Sequence, residues 1–225
     1  MAFMNEIKRS LDIHITHLDL GGGFGIPTLK VLGSIESRLH PHFNRPYSPP
    51  RPDTTSRIQE FAHVIAGTVK EQTAAHNLDI PVLLFEPGRI ISGNAELLLA
   101  RVEDIKQGKN GQQIAIIDAG INNASIVRGE YHEIFVANKI NDPKRQQYSI
   151  AGPLCTPSDI LNHSITLPQL EIGDIIAIMD AGAYFTSLLT NFGYPRPAII
   201  MSSKGSHELI RARETFEHMT LLDKL

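Results

Sequence analysis

Apolar positions along this chain follow two different grammars, and the change falls near residue 92. In the first, Ile13, Ile15 and residues 18–20 form a short aliphatic run that predicts a buried strand, passing without a polar linker into Gly21-Gly22-Gly23-Phe24-Gly25. Residues 5–11 ahead of it read as the tail of a helix, an odd way for a complete domain to begin. Residues 30–38 predict a short helix, and the proline-rich stretch 40–52 predicts a loop. Asp53 or Thr54 then offers a cap for a helix in which Ile58, Phe61, Ala62, Ile65 and Val69 recur every three or four residues, with Asn77 as its stop. That apolar face is expected to pack on a sheet. Residues 81–85 form a second short apolar strand that runs into Glu86-Pro87-Gly88-Arg89. Strand, glycine loop, helix, strand is the order of a parallel α/β sheet or barrel, in which ligands bind at the C-terminal ends of the strands. Both polar loops fall on that edge.

Past residue 92 the helical period disappears. Residues 97–105, 113–118, 131–136, 147–150, 165–167 and 174–179 are short β-like segments separated by Gly, Asn and Pro turns, the pattern of an all-β module. Residues 205–222 are expected to close the chain as a helix, burying Leu209, Ile210, Phe216 and Met219. The predicted organisation is α/β plus all-β, divided into residues 1–92 and 93–225.

Composition narrows the function classes. A chain of 225 residues, 42% of them hydrophobic, can bury one large core or two small ones. The net charge of -3, with acids and bases interspersed, gives no basic stripe for a nucleic acid. No apolar run approaches a membrane span, and residues 1–11 lack the apolar centre of a signal peptide, so the cytoplasm is the expected location. Cys155 is the single cysteine, which excludes an internal disulfide and a cysteine-based metal cluster and leaves either a buried thiol or a reactive one. The ten histidines show no convincing ligand spacing, and no metal site is expected.

The two loops carry the candidate chemistry. Adjacent glycines permit positive φ and close approach of a ligand to the backbone, so Gly21 to Gly23 suit either an anion cradle or a tight turn after a strand. Their spacing matches neither the P-loop nor the dinucleotide fingerprint. Glu86 directly follows an apolar run and is expected to be partly buried and in need of a partner.

These loops, together with Asp118-Ala119-Gly120, Gly152-Pro153-Leu154-Cys155, Asp180-Ala181-Gly182-Ala183-Tyr184 and Arg211-Ala212-Arg213-Glu214-Thr215, make the sequence resemble the fold-type III pyridoxal-phosphate decarboxylases. That group comprises the diaminopimelate, ornithine and arginine decarboxylases, and the likeness runs over essentially the whole chain. It implies the C-terminal part of a (β/α)8 alanine-racemase-like barrel followed by a β-sandwich or barrel domain. It also implies pyridoxal 5'-phosphate as cofactor and a homodimer with shared active sites. In the resemblance, Gly21, Gly22, Gly23, Gly88 and Arg89 hold the cofactor phosphate and Tyr184 adds a hydroxyl to it. Glu86 faces the pyridine nitrogen and keeps it protonated, and Cys155 returns a proton after carbon dioxide leaves, reaching into the partner's site.

Two departures qualify the likeness. No lysine sits in the Lys-Ala-Asn type of context that forms the Schiff base, and a barrel alone needs about 250 residues, so most of the barrel is expected to lie outside this chain. The residue after the cysteine, usually acidic in the family, is Thr156, and the stretch after Gly120 lacks the usual Arg-Pro pair, for which Arg128 and Tyr131 are partial substitutes. The substrate is therefore open, either a free amino acid or a carrier-bound aminoacyl group. The leading expectation is the C-terminal portion of a decarboxylase. The alternatives are a non-catalytic homologue that pairs with or regulates an active one and, last, a racemase of the same barrel class.

Overall fold

The computed structural model describes residues 1–36, 38, 46–51, 56–108 and 111–224. They form two units, Met1–Pro27 with Pro50–Gly93, and Thr28–Pro49 with Asn94–Leu225.

In the first unit, helix α1 (Ala2–Leu11) carries Lys8 and Arg9 in its last turn and ends where Asp12 takes a left-handed φ of 54°. Strand β1 (His17–Asp19) follows. Strand β2 (Lys30–Val31) belongs to the second unit and occupies the start of the stretch expected to be helical. Among the described residues of that stretch, 34–36 and 38 are helical: Val31 is β-branched, and Gly33 separates the strand from the turn. Helix α2 (Ile58–Ala75) starts at Arg57, whose backbone N–H donates to the Glu60 carboxylate at 3.2 Å. The caps expected at Asp53 or Thr54, and most of the loop over 40–52, lie outside the described residues. The stop at Asn77 has a clear cause: Asn77 adopts φ 49°, its N–H donates to the Ala74 carbonyl, and that of Leu78 donates to Thr73. Strand β3 (Val82–Leu84) then pairs in parallel with β1, His17 opposite Val82 and Asp19 opposite Leu84.

The expected burial of these strands is corrected by the structure. Only the central residues, Leu18 and Leu83, are half-buried, while Val82 and Leu84 are exposed. Among the described residues β1 and β3 pair only with each other, which makes both of them edge strands. Phe24 instead ties the unit together, edge-on to Phe61 of α2 at 5.2 Å and 6.1 Å from Phe85. Helix α3 (Arg89–Ser92) follows β3 directly.

The second unit is a six-stranded sheet. Its strands are β4 (Leu98–Gln107), β5 (Gln113–Ile117), β7 (Ile134–Val136), β8 (Gln146–Ala151), β9 (Ile160–Leu167) and β10 (Ile175–Ile178). The order is β7-β10-β4-β5-β8-β9, antiparallel except for the parallel pair β5 and β8. Val102, Ile117, Ile134, Ile150, Leu161, Leu167, Ile176 and Ile178 fill one apolar core. The short strand β6 (Glu130–Tyr131) pairs with β2 instead, with Lys30 opposite Tyr131.

The C-terminal stretch departs most from expectation. Residues 199–211 form a hairpin, β11 (Ile199–Ser203) and β12 (Ser206–Arg211), and the only helix after it among the described residues is α4 (Phe216–Met219). Lys204 (φ 48°) and Gly205 (φ 83°) both take positive φ, the two-residue turn that matches the twist of paired strands. Leu209 and Ile210, expected in the core, are 62% and 55% exposed, and Phe216 and Met219 are exposed as well. Leu209 pairs across the hairpin with Ile200 and Ile210 falls at the register shift beside it, so one helical face never forms.

Candidate active site

The parallel pairing of β1 and β3 sets the first group of candidate residues. It carries both chains to the same strand edge, and the ladder continues past the strands: Leu20 N–H donates to Leu84 O at 3.0 Å and Glu86 N–H donates to Gly21 O at 2.8 Å. Gly21 and Gly23 take φ of 68° and 82°, which other residues adopt only with strain. A Cβ on Gly22 would lie 2.3 Å from the Glu86 carbonyl oxygen, so only glycine fits there, while Gly21 and Gly23 have open space around them. Gly21 spends its N–H on the Asp19 carboxylate at 2.8 Å. That bond shapes the loop beside the end of β1.

Gly88 caps α3 and Arg89 opens it, half-buried. The Arg89 stem lies against Gly93, where an added Cβ would meet Arg89 Cγ at 2.8 Å. Glu86 is exposed, not partly buried as its apolar lead-in suggested. Val82, Leu84 and Phe85 before it are exposed too, so the strand end does not draw the carboxylate inward. The structure thus brings Gly21, Gly22 and Gly23 together with Glu86, Gly88 and Arg89 on a single edge.

The remaining expected residues lie in the second unit. Cys155 is exposed, on the loop between β8 and β9, and Thr156 beside it shares a 3.0 Å hydrogen bond with Ser158. Tyr184 follows the buried run Asp180, Ala181 and Ala183; it is 46% exposed and holds φ 71°, a costly conformation for a tyrosine. Asp180, also left-handed at φ 57°, accepts a hydrogen bond from Thr28 at 2.9 Å. Arg128 sits exposed on a 3-10 turn, Val127–Gly129. Tyr131 is half-buried and donates its hydroxyl to Glu133; burial first, then that carboxylate, raises its pKa well above the usual phenol range. Its hydroxyl is therefore committed within the fold.

The sequence reading passed over Asp159, which is buried just before β9. Its Oδ1 accepts from Ile121 N–H at 2.8 Å and its Oδ2 from Leu154 N–H at 2.7 Å, so one carboxylate ties Asp118-Ala119-Gly120 to Gly-Pro-Leu-Cys. In the sequence it is an ordinary turn aspartate following Thr-Pro-Ser, and the only available signal was that both joined motifs contain a glycine.

The family described as pyridoxal-dependent decarboxylase, C-terminal sheet domain, matches residues 14–182. The chain belongs to the pyridoxal-dependent decarboxylases. Among curated relatives, it is 32% identical to the diaminopimelate decarboxylase of Methanothermobacter thermautotrophicus over 222 residues, 97% of this chain and 46% of that protein. It is 31% identical to the Bacillus subtilis diaminopimelate decarboxylase over 224 residues, 98% of the chain and 46% of the relative. The crystal structure of the M. jannaschii diaminopimelate decarboxylase superposes with a TM-score of 0.77 at 30% identity, covering 100% of this chain and 46% of that one. The chain therefore spans about half the length of the decarboxylases it matches. No helix among the described residues is long and apolar enough to cross a membrane.

The glycine edge suits the cofactor such a family needs. A Cβ is excluded at Gly22, space is open beside Gly21 and Gly23, and Arg89 lies two residues past Pro87, features compatible with a phosphate monoester.

Proposed function

We propose that this chain is the C-terminal portion of a PLP-dependent amino-acid decarboxylase that works in the cytoplasm as a homodimer. Residues 1–92 contribute the last part of a (β/α)8 barrel and residues 93–225 the β domain. The observation that carries the reading is the close packing of Gly22 against the Glu86 carbonyl at the end of two parallel strands, which fixes the glycine loop beside Glu86, Gly88 and Arg89. Bound pyridoxal phosphate supplies an electron sink for the bond to the departing carboxylate. The residues of this chain hold and tune that sink. Backbone N–H groups of Gly22 and Gly23 with the Arg89 guanidinium bind the phosphate, and the Tyr184 hydroxyl adds a donor. Glu86 keeps a proton on the ring nitrogen. The Cys155 thiol returns a proton to the substrate carbon, in the site of the partner subunit. The lysine that anchors the cofactor comes from residues outside this chain.

The substrate is an amino acid, free or carrier-bound. Arg128 and Thr156 are its nearest readers in this proposal; Tyr131 acts only through Glu133. The relatives are named for diaminopimelate, which is the first substrate to test.

The experiment is to express the longer protein that contains this sequence, load it with pyridoxal phosphate and measure carbon dioxide release from diaminopimelate, lysine, ornithine and arginine. Release from one of them is expected. Tight cofactor binding with no release from any amino acid, free or presented as a carrier-bound aminoacyl group, would replace this reading with the non-catalytic homologue, which the missing lysine context favours.

A further inference from the structure

We propose that Asp159 is a positioning residue: its carboxylate latches the loop that presents the Cys155 thiol. The catalytic half of this proposal rests on the decarboxylase reading. The latch itself rests only on geometry.

Cys155 stands at the centre of a three-residue turn, with Thr156 N–H donating to Leu154 O at 2.7 Å. Both flanks of that turn are bound by Asp159. Its Oδ2 takes the Leu154 N–H at 2.7 Å, and its own N–H donates to the Thr156 carbonyl at 3.1 Å. Its carbonyl receives Gly152 N–H at 3.0 Å, closing the base of the loop. Its Oδ1 reaches out to Ile121 N–H at 2.8 Å, which ties the loop to the segment after β5. The Leu154 side chain is buried beneath the turn, so the exposed thiol is carried on a fixed base.

The surroundings allow nothing larger. A Cβ on Gly120 would lie 2.7 Å from both carboxylate oxygens. One on Gly152 would lie 2.3 Å from Oδ2 and 2.5 Å from the Gly120 Cα. This accounts for the glycines of two motifs about thirty residues apart whose conformation is otherwise unremarkable: they make room for one carboxylate. The site also requires an anion with two acceptors. Asparagine has the same shape but one acceptor oxygen, so its amide would face the N–H of either Leu154 or Ile121, donor against donor. A buried donor left in that state costs more than the bond it replaces.

The test uses the longer, cofactor-loaded protein and the variant Asp159→Asn. Three quantities are read on the folded protein: the rate of iodoacetamide alkylation at Cys155 by peptide mass spectrometry, kcat and KM, and cofactor affinity. Alkylation is expected to change roughly tenfold and kcat to fall on the order of a hundredfold, the scale of a misplaced reacting group, with KM and cofactor affinity near wild type. A residue that served only stability would lower the melting temperature and leave the alkylation rate of the folded protein unchanged, and that result overturns the proposal. If the variant does not fold, amide exchange in the wild type decides. Leu154 and Ile121 N–H are expected to be protected while the Cys155 N–H exchanges freely; exchange of all three at one rate overturns the latch. Failure of the decarboxylase reading looks different, since the wild type would then release no carbon dioxide while alkylation and exchange still report on Asp159.

Discussion

Gly22 and the carbonyl of Glu86 are in such close contact that a single added methyl group would stand 2.3 Å from the oxygen. The contact is with backbone, which cannot rotate away. Gly22→Ala is therefore expected to force the two strand ends apart, at about 1 to 3 kcal/mol, the usual range for overpacking. Because the same displacement opens the cradle, cofactor affinity should fall with it. A thermal melt and a pyridoxal phosphate titration of the longer protein check both; an unchanged affinity would remove the loop from the cofactor site.

In their proposed roles, Glu86 and Cys155 act on the reaction more than on binding. Glu86→Gln keeps the shape and removes the charge, so turnover should drop about a hundredfold or more while cofactor affinity changes little. Cys155→Ala should likewise slow carbon dioxide release or misdirect proton return, leaving cofactor binding intact. Equal loss of binding and turnover in either variant would count against its assigned role.

Tyr184 holds φ 71° with a full side chain. Tyr184→Phe keeps the ring on that backbone and removes only the hydroxyl, so cofactor binding should weaken while the melting temperature changes little. A variant that loses stability and affinity together would show that the tyrosine serves packing alone.

Glu214 ties the C-terminal segment to the loop at residue 196. It accepts the backbone N–H of Arg196 and the guanidinium Nε, each at 2.9 Å, and an amide hydrogen of Asn191. The Arg196 guanidinium pulls its pKa from 4.5 down to about 2. A carboxyl depressed in the folded state contributes stability that is fully present above about 4.5 and is lost as pH falls through about 2. Proteolytic cleavage within residues 212–224 should accelerate across that window in the wild type. In Glu214→Gln the acceleration should be absent and the cleavage fast throughout.

Much of the fold was legible in the sequence because each strand of the large sheet combines β-branched residues with a flanking Gly, Asn or Pro. Residues 98–107, 113–117 and 175–178 fall within a residue or two of their predicted spans. The hairpin at 199–211 was misread because Leu209 and Ile210, followed by charged residues and Phe216, imitate a helical face, while the Lys204-Gly205 turn that decides the matter is only two residues long. Glu86 was misplaced for a related reason: an apolar run reports strand, but burial depends on what covers the strand. Asp159 was missed because its partners are backbone N–H groups, which the identities of neighbouring residues do not encode.

The hairpin of β11 and β12 has a practical consequence for handling the chain. Its strands pair only with each other among the described residues, and Ile200, Met201, Leu209 and Ile210 stand exposed along them. Such a ribbon offers unpaired N–H and C=O groups beside an oily surface, a template onto which another copy can add a strand. Concentrated solutions of these residues alone should thus turn cloudy with time, and a lysine placed at Ile200 should keep them clear.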